Sequence, residues 1–260
     1  MNILYGVSGE GMGHASHAMA ITRFLNKKGH NVKIITYGQA YDILKEQFDV
    51  FKVEGIHPVY DEGVLNLKKS FKCNFKCVFK NFKKKEKFKK LISDFNPDIC
   101  ISDMEPVVSI LSYIYKKPLI FLSNQTRFIR FKLNVPKKYF KDYLVAKVSI
   151  KAIVPMADYY IALTLSKLKS NKKNTYIANP IIRDEIRKLK PRSSGCILVY
   201  LSKKNKNVLR ILKQVDEEFV VYGYNIKKRE RNLEFKTQDS LLKDFQNCKA
   251  IISTSGFTSV

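Results

Sequence analysis

The sequence predicts an α/β protein made of two successive Rossmann-like halves, and three observations predict it. Short β-rich apolar runs alternate with helical patterns along most of the chain, which is how parallel α/β layers read. Residues 2–53 give strand, glycine loop, helix, strand, helix and strand, the βαβαβ mononucleotide-binding half-unit. A polar stretch holding Pro180, Pro191 and Ser193-Ser194-Gly195 then breaks the alternation, and a second series follows it.

Residues 2–7 (NILYGV) form the first strand, and a helix runs through AMAITRFLNKKG with Gly29 as its C-terminal stop. Strands follow at 31–37 and 49–53 around a short helix at 40–47. Residues 68–90 contain eleven lysines, one glutamate and five phenylalanines, with Phe71, Phe75, Phe79 and Phe82 stepping by four, four and three. That spacing predicts one basic amphipathic helix. Its Phe stripe reads either as packing against the sheet beneath solvated lysines or as attachment to anionic lipid. Strands at 97–103 and 118–125 flank a helix over PVVSILSYIY. A helix at 139–155 and strands at 158–164 and 175–178 complete the first series. The second holds strands at 196–201, 219–223, 233–235 and 250–254 and helices at 206–215 and 239–246. The expected domains are therefore 1–190 and 191–260.

At 260 residues with 45% hydrophobic content the chain can bury real cores. Its net charge of +25 calls for a phosphate-bearing, lipid or nucleic-acid partner, although a lysine-biased composition accounts for it as readily. Only nine of the 48 basic residues are arginine, the side chain that base-edge readout favours, so specific nucleic-acid recognition is not expected. Five cysteines without a CxxC pair suggest neither a disulfide framework nor a zinc ribbon, and point to the cytoplasm. The opening MNILYGVSG reads as a strand rather than a leader, and no run reaches the roughly 20 apolar residues that span a bilayer.

The loop GVSGEGMGHASH (6–17) lies between strand and helix, where backbone N–H groups can approach a phosphate or sugar. Its glycines, Gly9, Gly11 and Gly13, miss the G-x-G-x-x-G spacing, and the second strand ends in Tyr37-Gly38 without the acidic residue that holds an NAD ribose. A dinucleotide oxidoreductase is demoted. His14 follows the last glycine at the carboxyl end of the first strand, where open α/β sheets bind ligands. Asp103 and Glu105 follow the 97–103 strand, so in a parallel sheet Asp103 shares a rim with His14 and could orient its imidazole. The same residues also read as plain helix-start residues, His14 packing there and Asp103 capping ahead of Pro106.

GEGMGHAS, ISDMEP, FLSNQ, a strand-helix-strand second half and SGFTSV, in that order and spacing, resemble the GT-B glycosyltransferases. That superfamily includes the UDP-glucuronosyltransferases and the N-acetylglucosaminyltransferase of peptidoglycan lipid synthesis. The likeness is strongest to a prokaryotic and archaeal branch with GxGHAxR openings. It implies two Rossmann-like domains, the first holding an acceptor and the second a nucleotide sugar, UDP-linked in the family's manner. It further implies an inverting transfer to a hydroxyl acceptor, with His14 as general base and Asp103 as its partner, and no metal or other cofactor. Gly11, Gly13, Glu105, Asn124 and Gln125 would line the acceptor side. Ser202, Phe235, Gln238, Ser255, Gly256 and Phe257 would serve the donor. The acceptor could be lipid-linked, with residues 68–90 meeting an anionic membrane.

Three departures qualify the likeness. The position three after His14 is His17, where the branch often has arginine. SKKNKN follows strand 196–201 where relatives carry glycine. The 68 residues from Ser193 stop before the helix that bears the family's donor-binding acid, so the second domain is expected to be incomplete. The other readings are a non-catalytic acceptor-binding or membrane-recruiting subunit, a truncated remnant, or a sugar-nucleotide 2-epimerase.

Overall fold

A computed structural model describes residues 1–10, 12–57, 59–61, 64–170, 172–201 and 204–253. The chain packs as two compact units, Met1–Ile181 and Ile182–Val260.

In the first unit the chain runs through β1 (Asn2–Val7), α1 (Met12–Lys27), β2 (Asn31–Thr36), α2 (Gly38–Leu44) and β3 (Val50–Lys52). A small hairpin of β4 (Tyr60–Asp61) and β5 (Val64–Leu65) leads into α3 (Leu67–Lys83) and α4 (Lys85–Phe95). Then come β6 (Ile99–Asp103), α5 (Pro106–Ile114), β7 (Leu119–Ser123), α6 (Thr126–Arg130), α7 (Phe140–Ile153), β8 (Tyr159–Leu163) and β9 (Thr175–Ala178). Among the described residues seven strands form one parallel sheet in the order β3-β2-β1-β6-β7-β8-β9. The order reverses between β1 and β6. A doubly wound sheet opens its ligand crevice at such a reversal, beyond the carboxyl ends of the strands.

Alternation along β1 assigns the two faces. Leu4 joins Ile35, Cys100, Leu119 and Phe121 in a core closed by Phe88, Leu91, Ile92 and Phe95 of α4, Val107, Val108 and Leu111 of α5, and Ile150 of α7. Ile3, Tyr5 and Val7 project to the opposite face and are equally buried. That face is where α1 packs on β1 and β2. Gly6 permits the close approach of α5: a Cβ there would lie 2.5 Å from Val108 Cγ1 and 2.9 Å from Glu105 Oε2.

The single basic helix expected over 68–90 is two helices that part at Lys84. The sequence holds the reason. Phe71, Phe75, Phe79 and Phe82 set one helical phase, while the buried residues of α4, Phe88, Leu91, Ile92 and Phe95, set another that arrives one residue too early to continue it. An unbroken helix could not keep both stripes on one side. The side chains of the four earlier phenylalanines lie outside the described ones. Among the described residues no helix is long and apolar enough to cross a membrane.

The second unit contains α8 (Asp184–Arg187), β10 (Ser194–Tyr200), α9 (Lys206–Leu212), β11 (Glu218–Tyr222), β12 (Lys228–Glu230), β13 (Leu233–Phe235), α10 (Leu241–Asn247) and β14 (Cys248–Ser253). Its described strands order as β12-β13-β11-β10-β14, parallel except for the charged edge strand β12. Two clusters, one on Val199, Phe219, Val221 and Leu233 and one on Leu198, Val220 and Tyr222, form its core.

Candidate active site

The reversal point of the first sheet delivers a carboxylate and an imidazole to one place. β1 and β6 pair with Val7 opposite Asp103, and the Ser8 N–H donates to the Asp103 carbonyl at 2.9 Å. The glycine segment then turns into α1, which begins at Met12, earlier than its apolar pattern indicates, and so carries His14 in its first turn. Nδ1 of His14 lies 2.8 Å from Oδ2 of Asp103. A carboxylate only accepts, so the imidazole proton sits on Nδ1 and Nε2 is left as the basic nitrogen. Asp103 is 3% exposed in its side chain and His14 20%, which makes the imidazole the reachable member of the pair. Burial pulls the His14 pKa down, but the charge and hydrogen bond of Asp103 outweigh it and hold the group above its ordinary 6.5.

His17 lies on the next turn of α1 and is buried. Burial and the neighbouring His14 lower its pKa against the pull of Asp103. The pKa values of the two imidazoles are therefore moved in opposite directions beside one carboxylate, and His14 is the more readily protonated.

Around the glycine loop runs a ring of hydrogen bonds that residue-type reasoning did not single out. The Tyr37 hydroxyl donates to Ile56 O at 2.9 Å, which leaves Ser8 Oγ to donate to Tyr37 Oη at 3.4 Å. Glu10 N–H donates to Ser8 Oγ at 3.4 Å, and Glu10 Oε1 lies 2.6 Å from Nδ1 of His57. The His57 ring also meets Tyr37 edge-on with centroids 5.4 Å apart. Gly9 is required here, because a Cβ would run into the Tyr37 backbone. The signal that could have found His57 is positional: VEGIHP follows β3 and so leaves the sheet on the same rim as His14.

Glu105, expected to line the acceptor side, is instead the N-cap of α5 and fully buried. Its two oxygens accept from Val107 N–H at 3.0 Å and Val108 N–H at 2.7 Å. Burial pushes its carboxyl up to about 7 despite both bonds. The helix start thus takes its cap from Glu105, and Asp103 is spared for His14. Asn124 and Gln125 leave the carboxyl end of β7, half-buried on the same rim, with the Ser123 hydroxyl donating to Gln125 Oε1. Gly13 lies in the first turn of α1, and Gly11 falls outside the described residues.

In the second unit, Phe235 is a core residue at 4% exposure, edge-on to Tyr224 at 5.3 Å, which leaves only its backbone for a ligand. Gln238 is exposed at the start of a short 3-10 turn. Asp244 fixes this segment by accepting from the Tyr222 hydroxyl at 2.5 Å and from Lys236 Nζ at 3.0 Å. Ser202, Ser255, Gly256 and Phe257 lie outside the described residues.

Comparison with known proteins now meets this geometry. Residues 1–260 match the family described as Glycosyl transferase family 1. An uncharacterized glycosyltransferase of Methanosarcina acetivorans is 26% identical over 202 residues, covering 71% of this chain and 52% of the relative; the chain spans about half that protein's length. The solved glycosyltransferase of kitacinnamycin has a TM-score of 0.66 at 12% identity, covering 99% of this chain and 76% of its own. An Arabidopsis thaliana protein solved with UDP-L-rhamnose has a TM-score of 0.60 at 11% identity, covering 99% and 75%. These structures share the GT-B fold with the two Rossmann-like sheets described above. With residues 1–260 matched by the family, the chain belongs to glycosyl transferase family 1.

Proposed function

We propose that the chain works as a glycosyltransferase that moves a sugar from a nucleotide-sugar donor to a hydroxyl acceptor, with His14 as general base. The observation that carries this reading is the 2.8 Å bond from His14 to the buried carboxylate of Asp103. Nε2 of His14 takes the acceptor proton as the acceptor oxygen attacks the anomeric carbon. The bond from that carbon to the nucleotide phosphate breaks with inversion, and Asp103 offsets the positive charge gained by the imidazole. The first unit holds the acceptor in this reading. The second holds the donor, through Gln238 and the backbone around Phe235, with Ser202 and 255–257 as further donor contacts. A UDP donor is supported by the UDP-L-rhamnose bound to the Arabidopsis thaliana neighbour.

A lipid-linked acceptor draws support from a groove of about 370 Å³ in the first unit. Ile56, Phe88, Val107 and Leu111 line it, with Ile110 and Ile114 on its walls at 52% and 59% exposure. Lys85 also lines it, and the lysines of 68–90 could bring this face to an anionic membrane surface.

The test is transfer of labelled sugar from UDP-glucose, UDP-galactose or UDP-N-acetylglucosamine to hexanol or octyl β-glucoside by the full-length protein. His14→Ala should lower turnover by roughly 100- to 10,000-fold while donor binding persists. Turnover close to that of the unaltered protein would remove His14 as the base.

A further inference from the structure

Glu10 and His57 form a second imidazole–carboxylate pair on the rim that carries His14 and Asp103. Unlike Asp103, both partners can be reached: their side chains are 42% and 45% exposed. Each also has an atom left over. Oε1 of Glu10 and Nδ1 of His57 are engaged with each other, whereas Oε2 and Nε2 make no hydrogen bond among the described residues.

The pair is held more firmly than a surface ion pair needs to be. Asn74 of α3 accepts from the His57 N–H at 2.7 Å and donates to its carbonyl at 3.2 Å, fixing the backbone. The buried ring of Tyr37 meets the imidazole edge-on. Glu10 is tied to Ser8, whose own N–H is tied to Asp103. An incidental exposed pair contributes little to stability, so this buttressing from β1, β2 and α3 is better explained by a ligand that needs fixed geometry.

The two free atoms define that ligand. A carboxylate oxygen accepts only, and with Nδ1–H donated to Glu10 the neutral imidazole of His57 presents Nε2 as an acceptor. Two acceptors carried by one pair match the hydroxyls of a saccharide, each of which can donate. Glu10 and His14 are four residues apart in sequence, at most roughly 14 Å even at full extension and less where the chain turns into α1. The two pairs therefore belong to one stretch of the rim, within the span of one acceptor molecule.

We propose that Glu10 and His57 bind further hydroxyls of the acceptor whose reacting hydroxyl His14 deprotonates, and so select a saccharide as the acceptor head. This rests on the glycosyltransferase reading above and sharpens it. A mono-alcohol would satisfy His14 yet gain no hydrogen bond from Oε2 and Nε2, which stay hydrated; the bonds a saccharide adds are worth roughly 10- to 100-fold in discrimination.

Two measurements on the full-length protein test this. The first compares kcat/KM for octyl β-glucoside and hexanol with a labelled UDP-sugar. Glu10→Gln or His57→Ala should lower the ratio of the two about tenfold or more, chiefly through KM for the glucoside. An equal loss on both acceptors would make the pair a simple loop latch, and an unchanged ratio would make it an unused surface contact; either overturns the proposal. The second follows the imidazole resonances of His57 by NMR as methyl gluco-, galacto-, manno- and N-acetylglucosaminides are added. A saturable shift that Glu10→Gln abolishes is expected, and no shift with any of the four overturns the proposal. This second measurement separates the two ideas: a His57 response without any sugar transfer keeps the saccharide site and removes the transferase reading, whereas transfer without a response does the reverse.

Discussion

Asn81 of α3 holds Glu54 by both backbone groups: its Nδ2 donates to Glu54 O at 2.7 Å and its Oδ1 accepts from Glu54 N–H at 3.0 Å. Asn74 treats His57 in the same way, and Ser70 Oγ accepts from Val59 N–H at 2.9 Å. Residues 70, 74 and 81 lie along one helix face. Among the described residues, a segment without a strand partner thus takes several of its backbone hydrogen bonds from side chains of a helix. Asn81→Ala should cost roughly 1–3 kcal/mol. Amide exchange at Glu54 should accelerate in step, read by hydrogen exchange; undiminished protection would mean that the segment is held elsewhere.

The His14–Asp103 bond makes a prediction about pH. As the base of the proposed transfer His14 must be neutral, so kcat/KM should fall on the acid side with a midpoint above 6.5, the direction in which Asp103 moves its pKa. Asp103→Asn removes that charge. Its midpoint should move down while the rate drops roughly 100-fold or more. An acid limb that stays in place would detach Asp103 from the titrating group.

Glu105 predicts a pH effect on stability of unusual sign for a carboxylate. Its folded pKa of about 7 exceeds the ordinary 4.5, so the native state binds its proton more tightly than the unfolded chain does. Its contribution is full below about 4.5, is lost as pH rises through about 7, and is constant beyond. Glu105→Gln keeps a cap acceptor but does not titrate. Its stability relative to the unaltered protein should rise between pH 4.5 and pH 8, by at most roughly 3 kcal/mol. Urea unfolding at the two pH values gives the answer, and a difference that shrinks would contradict the burial argument.

Gly6→Ala should destabilise by roughly 1–3 kcal/mol through overpacking. Its Cβ would lie 2.5 Å from Val108 Cγ1. Val108→Ala in the same chain should recover part of that loss, because the two sites share one contact. Strict additivity in thermal unfolding would locate the strain elsewhere.

The parallel layers and the meeting of His14 with Asp103 were legible because both follow from strand order and from the rule that parallel strands end on one rim. Other features were hidden for physical reasons. The edge strand Lys228–Glu230 is all charge, so no apolar alternation reveals it; it is held by pairs such as Arg229 with Glu218 at 2.8 Å. The break at Lys84 is a one-residue phase slip inside a lysine-rich run. Glu10 and His57 are 47 residues apart, and His57 stands in no motif, so only the fold brings them together. Glu105 shows the opposite error: a carboxylate beside a predicted site was read as chemistry when the helix start needed it.

The reversal of strand order between β1 and β6 also sets a timetable for the newborn chain. His14 is translated 89 residues before the aspartate that orients it. At roughly 5–20 residues per second that is about 4–18 s on the ribosome. Through that interval β1 has β2 on one side and an open flank on the other, so the histidine has its loop but no carboxylate. The imidazole acquires its raised basicity only when β6 emerges and slots in, while β7, β8 and β9 are still to come.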